Sequence, residues 1–182
     1  MFFLADRPKG LLFPWRKKII HLIKKTSADE KREGENVMAL TNQEIEQYLQ
    51  STKRILLATV TEDNKADVRI LGAIATDGFK TYFSTATNAR KVAQIEKNPN
   101  VAIYFEAPGQ EFPNYVNATL YGKAKKLTCE KGIEKATALI KEKLPKFELT
   151  ADKSIFVVEP EEIKIFNSSA ELAQDKIQIV KI

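Results

Sequence analysis

Apolar and polar positions alternate with two different periods along this chain, and the switches between them mark out its elements. "TNQEIEQYLQ" (residues 41–50) puts Ile45, Tyr48 and Leu49 on one face at helical spacing. Thr41 followed three residues later by Glu44 has the form of a capping box, so a short amphipathic helix is expected to begin there. Runs rich in β-formers come next: "RILLATVT", "ADVRILGAIA" and "FKTYFST". The turn-like "EDNK" separates the first two, and Asp77-Gly78, a hairpin signal, separates the second and third. Connections this short predict antiparallel pairing in a meander, not βαβ units.

"ARKVAQIEK" then returns to helical period, with Asn88 as the expected N-cap and Asn98-Pro99 as the stop. "VAIYFE" reads as a fourth strand, and "APGQEFPN", with its prolines and glycine, as a loop outside the sheet. In "YVNATLYGKAKKLT", Val116, Ala118 and Leu120 alternate with Asn117, Thr119 and Tyr121 along a long fifth strand. Gly122 inside that strand marks a bulge or a close backbone approach. "EKGIEKATALIKEKLP" is a helix, "SIFVVEP" and "EEIKIFN" are strands divided at Glu159-Pro160, and "KIQIVKI" is a candidate last strand. The sum is a mainly β (α+β) domain: an antiparallel β-barrel with peripheral helices, because a large meander that closes removes its exposed edges. Three regions are expected: an extension and linker at 1–36, the barrel at 37–167 and a tail at 168–182.

Composition narrows the function. At 182 residues the chain is long enough for one domain with a sizeable core. The net charge of +5 is concentrated at the amino end, where residues 9–25 are basic and free of acids, and the remainder is nearly balanced. A dedicated nucleic-acid binder would carry its basic face on the folded core, so that class is set aside. "LLFPWRKKIIHLIKK" (11–25) is either a helix whose Ile19, Ile20 and Ile23 cover part of the protein or a partner subunit, or a weak membrane-surface contact. Charges interrupt its apolar residues, unlike a secretory signal, and nothing approaches the roughly 18 apolar residues of a membrane-spanning helix. "SADEKREGEN" (27–36) reads as a solvated linker. The single cysteine, Cys129, permits no internal disulfide and fits a reducing, cytoplasmic compartment.

Much familiar chemistry is missing. Neither GxGxxG nor GxxxxGK[ST] occurs. The one histidine, His21, lies in the extension, which leaves the domain without a Ser-His-Asp or Cys-His arrangement and without a histidine-ligated metal. Glu161 and Glu162, adjacent in a strand, point to opposite faces, and Cys129 at a helix start reads as structural. Any catalysis would rest on a bound cofactor.

Arg90 and Lys91 are the residues that suggest one. Cations in a first helical turn oppose the helix dipole at a cost of roughly 0.3–1 kcal/mol each. With Asn88 as N-cap they fall at the second and third helical positions, where backbone N–H groups, a guanidinium and an ammonium together suit a phosphate. Ser84 and Thr85 offer hydroxyls just before the turn. The plainer alternative is that both cations point into water or pair with Glu96 or another acid. Arg69 is the only charge from Val68 to Ala75, in a run that reads as fully buried, so it needs a partner: Asp67 or a bound anion. Gly72 leaves room for a flat ring against the backbone.

Taken in order, "LLATVTEDNKADVRILGAI", "DGFKTYFSTATNARK" and "IEKNPNVAIYFE" resemble the FMN-binding split barrel of the pyridoxamine 5′-phosphate oxidase-like superfamily, over residues 52–117. The resemblance implies a homodimer with FMN in a groove at the subunit interface. It implies that Arg69, Ile70, Leu71 and Gly72 line the isoalloxazine and ribityl chain, with Ser84 and Thr85 on the ribityl and phosphate side. Arg90 and Lys91 match the family's phosphate-binding pair, and Asn117 stands where the oxidases carry a glutamine that reaches the flavin from the other subunit. Ile74 replaces the lysine that ends the oxidases' first flavin strand, and the carboxy-terminal Trp- and Arg-containing pyridoxal-phosphate contacts have no counterpart in "SSAELAQDKIQIVKI". The implied function is an FMN-dependent oxidoreductase acting on a small substrate or electron donor, and not a true pyridoxamine 5′-phosphate oxidase. Alternatives on the same scaffold are a flavin storage or stress protein without turnover, or a binder of F420 or haem. No catalytic residue is assigned and no metal is implied.

Overall fold

The computed structural model describes residues 39–170 and 176–182. The readings of residues 1–36, including the basic 11–25 stretch, lie outside the described residues. Eleven elements follow in order: α1 (Asn42–Ser51), β1 (Ile55–Val60), β2 (Ala66–Leu71), β3 (Ile74–Asp77), β4 (Lys80–Ala86), α2 (Arg90–Lys97), β5 (Asn100–Glu106), β6 (Val116–Lys126), α3 (Glu130–Lys143), β7 (Lys153–Asn167) and β8 (Ile177–Lys181). The strands form one antiparallel sheet in the order β2-β1-β5-β6-β7-β4-β3, with β8 added to β7. Its two outermost strands, β2 and β3, are consecutive in the chain and joined only by Gly72 and Ala73. So short a link between opposite edges obliges the sheet to curl on itself. The result is a split barrel, open along the free edge of β2.

Alternation decides what fills it. Leu57, Ile74, Phe83, Ile103, Phe105, Leu120, Phe156 and Ile163 are fully buried, and Phe83 stacks on Phe156 with ring centroids 5.3 Å apart. A second apolar layer lies outside the barrel, where Tyr82, Ile155 and Val157 meet Ala136 of α3. The capping box on α1 is present, with Thr41 and Glu44 satisfying each other's backbone N–H groups, and Ile45, Tyr48 and Leu49 are its buried face. Tyr48 also fixes the loop ahead of β6: its hydroxyl donates to Val116 O at 2.5 Å and accepts from Ala107 N at 3.2 Å. Burial pushes that phenol well above its usual pKa range. The side chain of Gln110 spans Val116 N and O, each at 2.7 Å, so the start of β6 is held from both sides.

Three sequence expectations need correction. "ADVRILGAIA" is not one strand: β2 ends at Leu71 and β3 starts at Ile74, because this is where the sheet passes from one edge to the other. Nor is the run fully buried. Val68 and Ile70 are 56% and 61% exposed on the outer face, and only the alternate residues turn inward. Finally, "SIFVVEP" and "EEIKIFN" are a single 15-residue strand, β7, that passes straight through Pro160. The proline is tolerated because β4 pairs with β7 only up to Val158 and β8 only from Glu162, leaving that edge free at 160. On the other edge, the register with β6 shifts between Tyr121 and Gly122, the irregularity that Gly122 led us to expect.

Candidate functional site

The split in the barrel brings α2 over the inner face of β1 and β2. Thr59 and Asp67 are register partners across these strands, and Arg69 follows Asp67 on the same face. The Arg69 guanidinium lies 2.5 Å from Asp67 Oδ2, donates from Nη1 to Thr59 Oγ1 at 2.5 Å, and donates from Nη2 to Gln94 Oε1 at 3.0 Å. Gln94, from α2, donates its amide to the same Asp67 oxygen at 2.9 Å and accepts from Thr59 Oγ1 at 2.7 Å. Of the two partners the sequence offered Arg69, the internal acid is the one it takes. The Gln94 hydrogen bond, followed by the charges of Arg69 and Arg90, holds the Asp67 carboxyl below the usual range, so it is ionised at neutral pH.

Helix α2 begins one residue later than expected. Ala89 is the N-cap, no side chain caps it, and the exposed Asn88 stands outside the helix. Backbone bonds fix the approach instead: Ala89 N donates to Ala86 O at 3.1 Å, and Thr87 N to Asp152 O at 2.7 Å. Arg90 and Lys91 therefore take the first and second helical positions, and the first turn holds no acid. They also diverge. Lys91 turns toward β4 and donates to Thr85 Oγ1 at 2.9 Å, whereas Arg90 is exposed and lines a cleft of about 730 Å³ between the β1–β2 turn and α2. Burial, and then the positive charge of Arg69, depress the Lys91 ammonium below its ordinary pKa, with only Asp67 pulling the other way. A cation destabilised in this manner sits in a position short of negative charge.

The remaining candidates fall in two groups. Alternation along β4 places Thr85 on the face of Phe83, toward Lys91, and Ser84 on the face of Tyr82. Ser84 Oγ is buried with no hydrogen-bond partner, while its backbone N–H donates to Ala73 O at 3.0 Å and pins the β2–β3 link. Leu71 is buried at the end of β2, Ile70 points outward, and Ile74 is buried in β3. Around Gly72 there is open space: a Cβ built there meets nothing within 4 Å, so the room exists independently of the missing side chain. Asn117 lies on the outer face, opposite Glu106 and Phe166, several strands from Arg69, and the chain does not bring the two together. Gln94 was not anticipated. Its position four residues after Arg90 and three after Lys91 on a short amphipathic helix is the signal that points to it.

Arg69, Lys91, Thr85 and an uncapped helical start are donors of the kind that could hold a small dianion, and they lie beside a sheet edge with unpaired backbone groups. The pyridoxamine 5′-phosphate oxidase family model matches residues 41–167, which contain every one of these groups. The chain belongs to the pyridoxamine 5′-phosphate oxidase family. No curated protein matches it significantly. Among solved structures, a heme binding protein from Mycobacterium smegmatis is 15% identical with a TM-score of 0.66, covering 79% of this chain and 59% of its own length. A Clostridium acetobutylicum protein related to general stress protein 26, of the pyridoxinephosphate oxidase family, is 19% identical with a TM-score of 0.58 over 79% of this chain and 97% of that one. HutZ, the heme storage protein of Vibrio cholerae, is 19% identical with a TM-score of 0.57 over 69% and 92%. At these identities the likeness establishes the split-barrel fold, and this member of the oxidase family shares it with proteins of several functions. Among the described residues no helix is long and apolar enough to cross a membrane.

Proposed function

We propose that this protein is an FMN-binding flavoprotein that works as a homodimer and exchanges electrons with a small substrate. The observation that carries the reading is the geometry at the start of α2, where Lys91 reaches Thr85 Oγ1, no side chain caps the helix, and Arg69 lies on the facing strand. The phosphate would be held by Lys91, Thr85 and the α2 N–H groups with Arg69 and Arg90 alongside, and the ring would lie along the free edge of β2 toward Gly72. The flavin, when bound, would supply the redox chemistry. The protein's part is to hold the phosphate, orient the ring against the β2 backbone and exclude water from it. Haem is less well supported, because residues 41–167 contain no histidine to ligate its iron. The protein as purified should be yellow, with flavin absorption, and should release FMN on denaturation. Release of haem or F420 instead would overturn the assignment.

A second copy has a surface to occupy. Ile70, Leu56 and Tyr104 are aligned across β2, β1 and β5 on the outer face, and Val68, Ala58, Ala102 and Tyr121 form the next row. Leu56, Val68, Ile70 and Tyr121 of this band are exposed and the rest half-buried, and pairing across it would hide it and bring a partner's Asn117-bearing face toward β2. Ile70→Asp is expected to convert the dimer to monomer in light scattering while leaving the circular dichroism unchanged. A variant that stays dimeric would place the interface elsewhere.

A further inference from the structure

A carboxylate is out of place in a pocket for a dianion, because a like charge beside the ligand opposes its binding. Asp67 is nonetheless there, one-third exposed, and shares its Oδ2 between Arg69 and the Gln94 amide in a closed hydrogen-bonded ring completed by Thr59. Its charge reaches past Arg69: Arg90 and Lys91 both interact with it. Asp67 is thus the one carboxylate, among the described residues, hydrogen-bonded into this cluster of cations. Without it, Arg69, Arg90 and Lys91 would repel one another across the mouth of the barrel.

We propose that Asp67 competes with the flavin phosphate for Arg69, so that FMN must take Arg69 from an internal anion and binds as an exchangeable ligand, not a permanently held group. The inference rests on the FMN reading above and adds to it a residue that sets retention. It differs in sign from a purely structural role. If Asp67 only steadied Arg69, removing its charge would loosen the guanidinium and weaken phosphate binding. If it competes with the phosphate, removing its charge strengthens binding and slows release.

The test is titration of the full chain and its variants with FMN and with riboflavin, which lacks the phosphate, followed by flavin fluorescence. Asp67→Asn should tighten FMN binding about tenfold, the scale of one charge-assisted hydrogen bond regained by the ligand, and leave riboflavin unchanged. Gln94→Glu, which adds a negative charge to the same ring, should weaken FMN by a similar factor with riboflavin again unchanged. Should Asp67→Asn not fold, Asp67→Thr, which also removes the charge, is titrated in its place and should shift FMN binding in the same direction. Weaker or unaltered FMN binding in Asp67→Asn, unaltered or tighter binding in Gln94→Glu, or equal shifts for both flavins would overturn the proposal. Inorganic phosphate separates it from the flavin reading. If the wild-type chain binds neither flavin, that reading fails. A larger phosphate-induced rise in melting temperature for Asp67→Asn than for wild type would then still support the competing anion, and an equal or smaller rise would overturn it.

Discussion

Replacing Arg90 and Lys91 together by alanine is expected to weaken FMN binding about a hundredfold while leaving riboflavin binding and the fold unchanged. Each side chain supplies one charge-assisted contact to a phosphate, worth about tenfold in affinity when lost. Because both would contact the same phosphate their losses couple, so the hundredfold figure is the simple sum, in free energy, of two tenfold contacts; Lys91 turns inward to Thr85, and Arg90 stands on the exposed flank. Lys91→Ala should carry the larger share. Its ammonium is partly desolvated and already destabilised by Arg69, so a phosphate relieves a cost as well as making a contact. Both residues contribute little to the core, whose share of α2 is Val92 and Ile95. Unchanged FMN affinity in the double variant would remove the account of why cations begin this helix. A parallel loss of riboflavin binding would show that the ring, not the phosphate, had been disturbed.

Gly122→Ala should destabilise the fold by about 3 kcal/mol, the upper end of the usual cost of overpacking. A Cβ at this position would lie 2.2 Å from the carbonyl oxygen of Glu159 and 3.0 Å from Pro160 Cα. Both obstacles are backbone, so no side-chain rotation relieves them. The strands β6 and β7 would have to separate at the register shift, and β7 is the strand to which β6, β4 and β8 all pair. A lower urea midpoint with an unchanged slope is the expected signature, since the native state loses stability and the surface exposed on unfolding stays the same. An equally stable alanine variant would mean that the two backbones do not approach this closely. By contrast, Gly72→Ala should be nearly neutral for stability, because an added Cβ would meet nothing within 4 Å.

The elements were legible because local signals agree with burial. Thr41 and Glu44 announce α1, Asp77-Gly78 announces the β3–β4 hairpin with Gly78 at φ +56°, and the alternation of β6 matches its burial residue by residue. Where the reading went astray, an assumption about neighbours was at fault. The ten residues from Ala66 look like one buried strand because Val68, Ile70 and Ile74 are all apolar, yet two of them face outward and the third lies on the opposite edge of the sheet. Pro160 looks like a break because proline cannot donate to a ladder, yet β7 is paired there on its β6 edge only, and the edge shared with β4 and β8 is unpaired at that residue. Asn88 is a better capping residue than Ala89, but the bonds that hold residues 86 to 89 come from Asp152 and from the turn itself, and they start the helix later.

From the sequence alone came the sheet-and-helix order, the family resemblance and the presence of unexplained cations at the start of α2. These follow from interactions within a few residues, such as side-chain period, turn chemistry and helix charge, and such interactions are written in neighbouring positions. Only the tertiary structure decided that Arg69 is held by Asp67, Thr59 and Gln94, that Ser84 and Thr85 serve opposite faces, and that Asn117 lies away from the cations of the α2 start. Those outcomes depend on which strand closes against which. Closure is a global balance of buried area and backbone pairing that no short stretch of residues encodes.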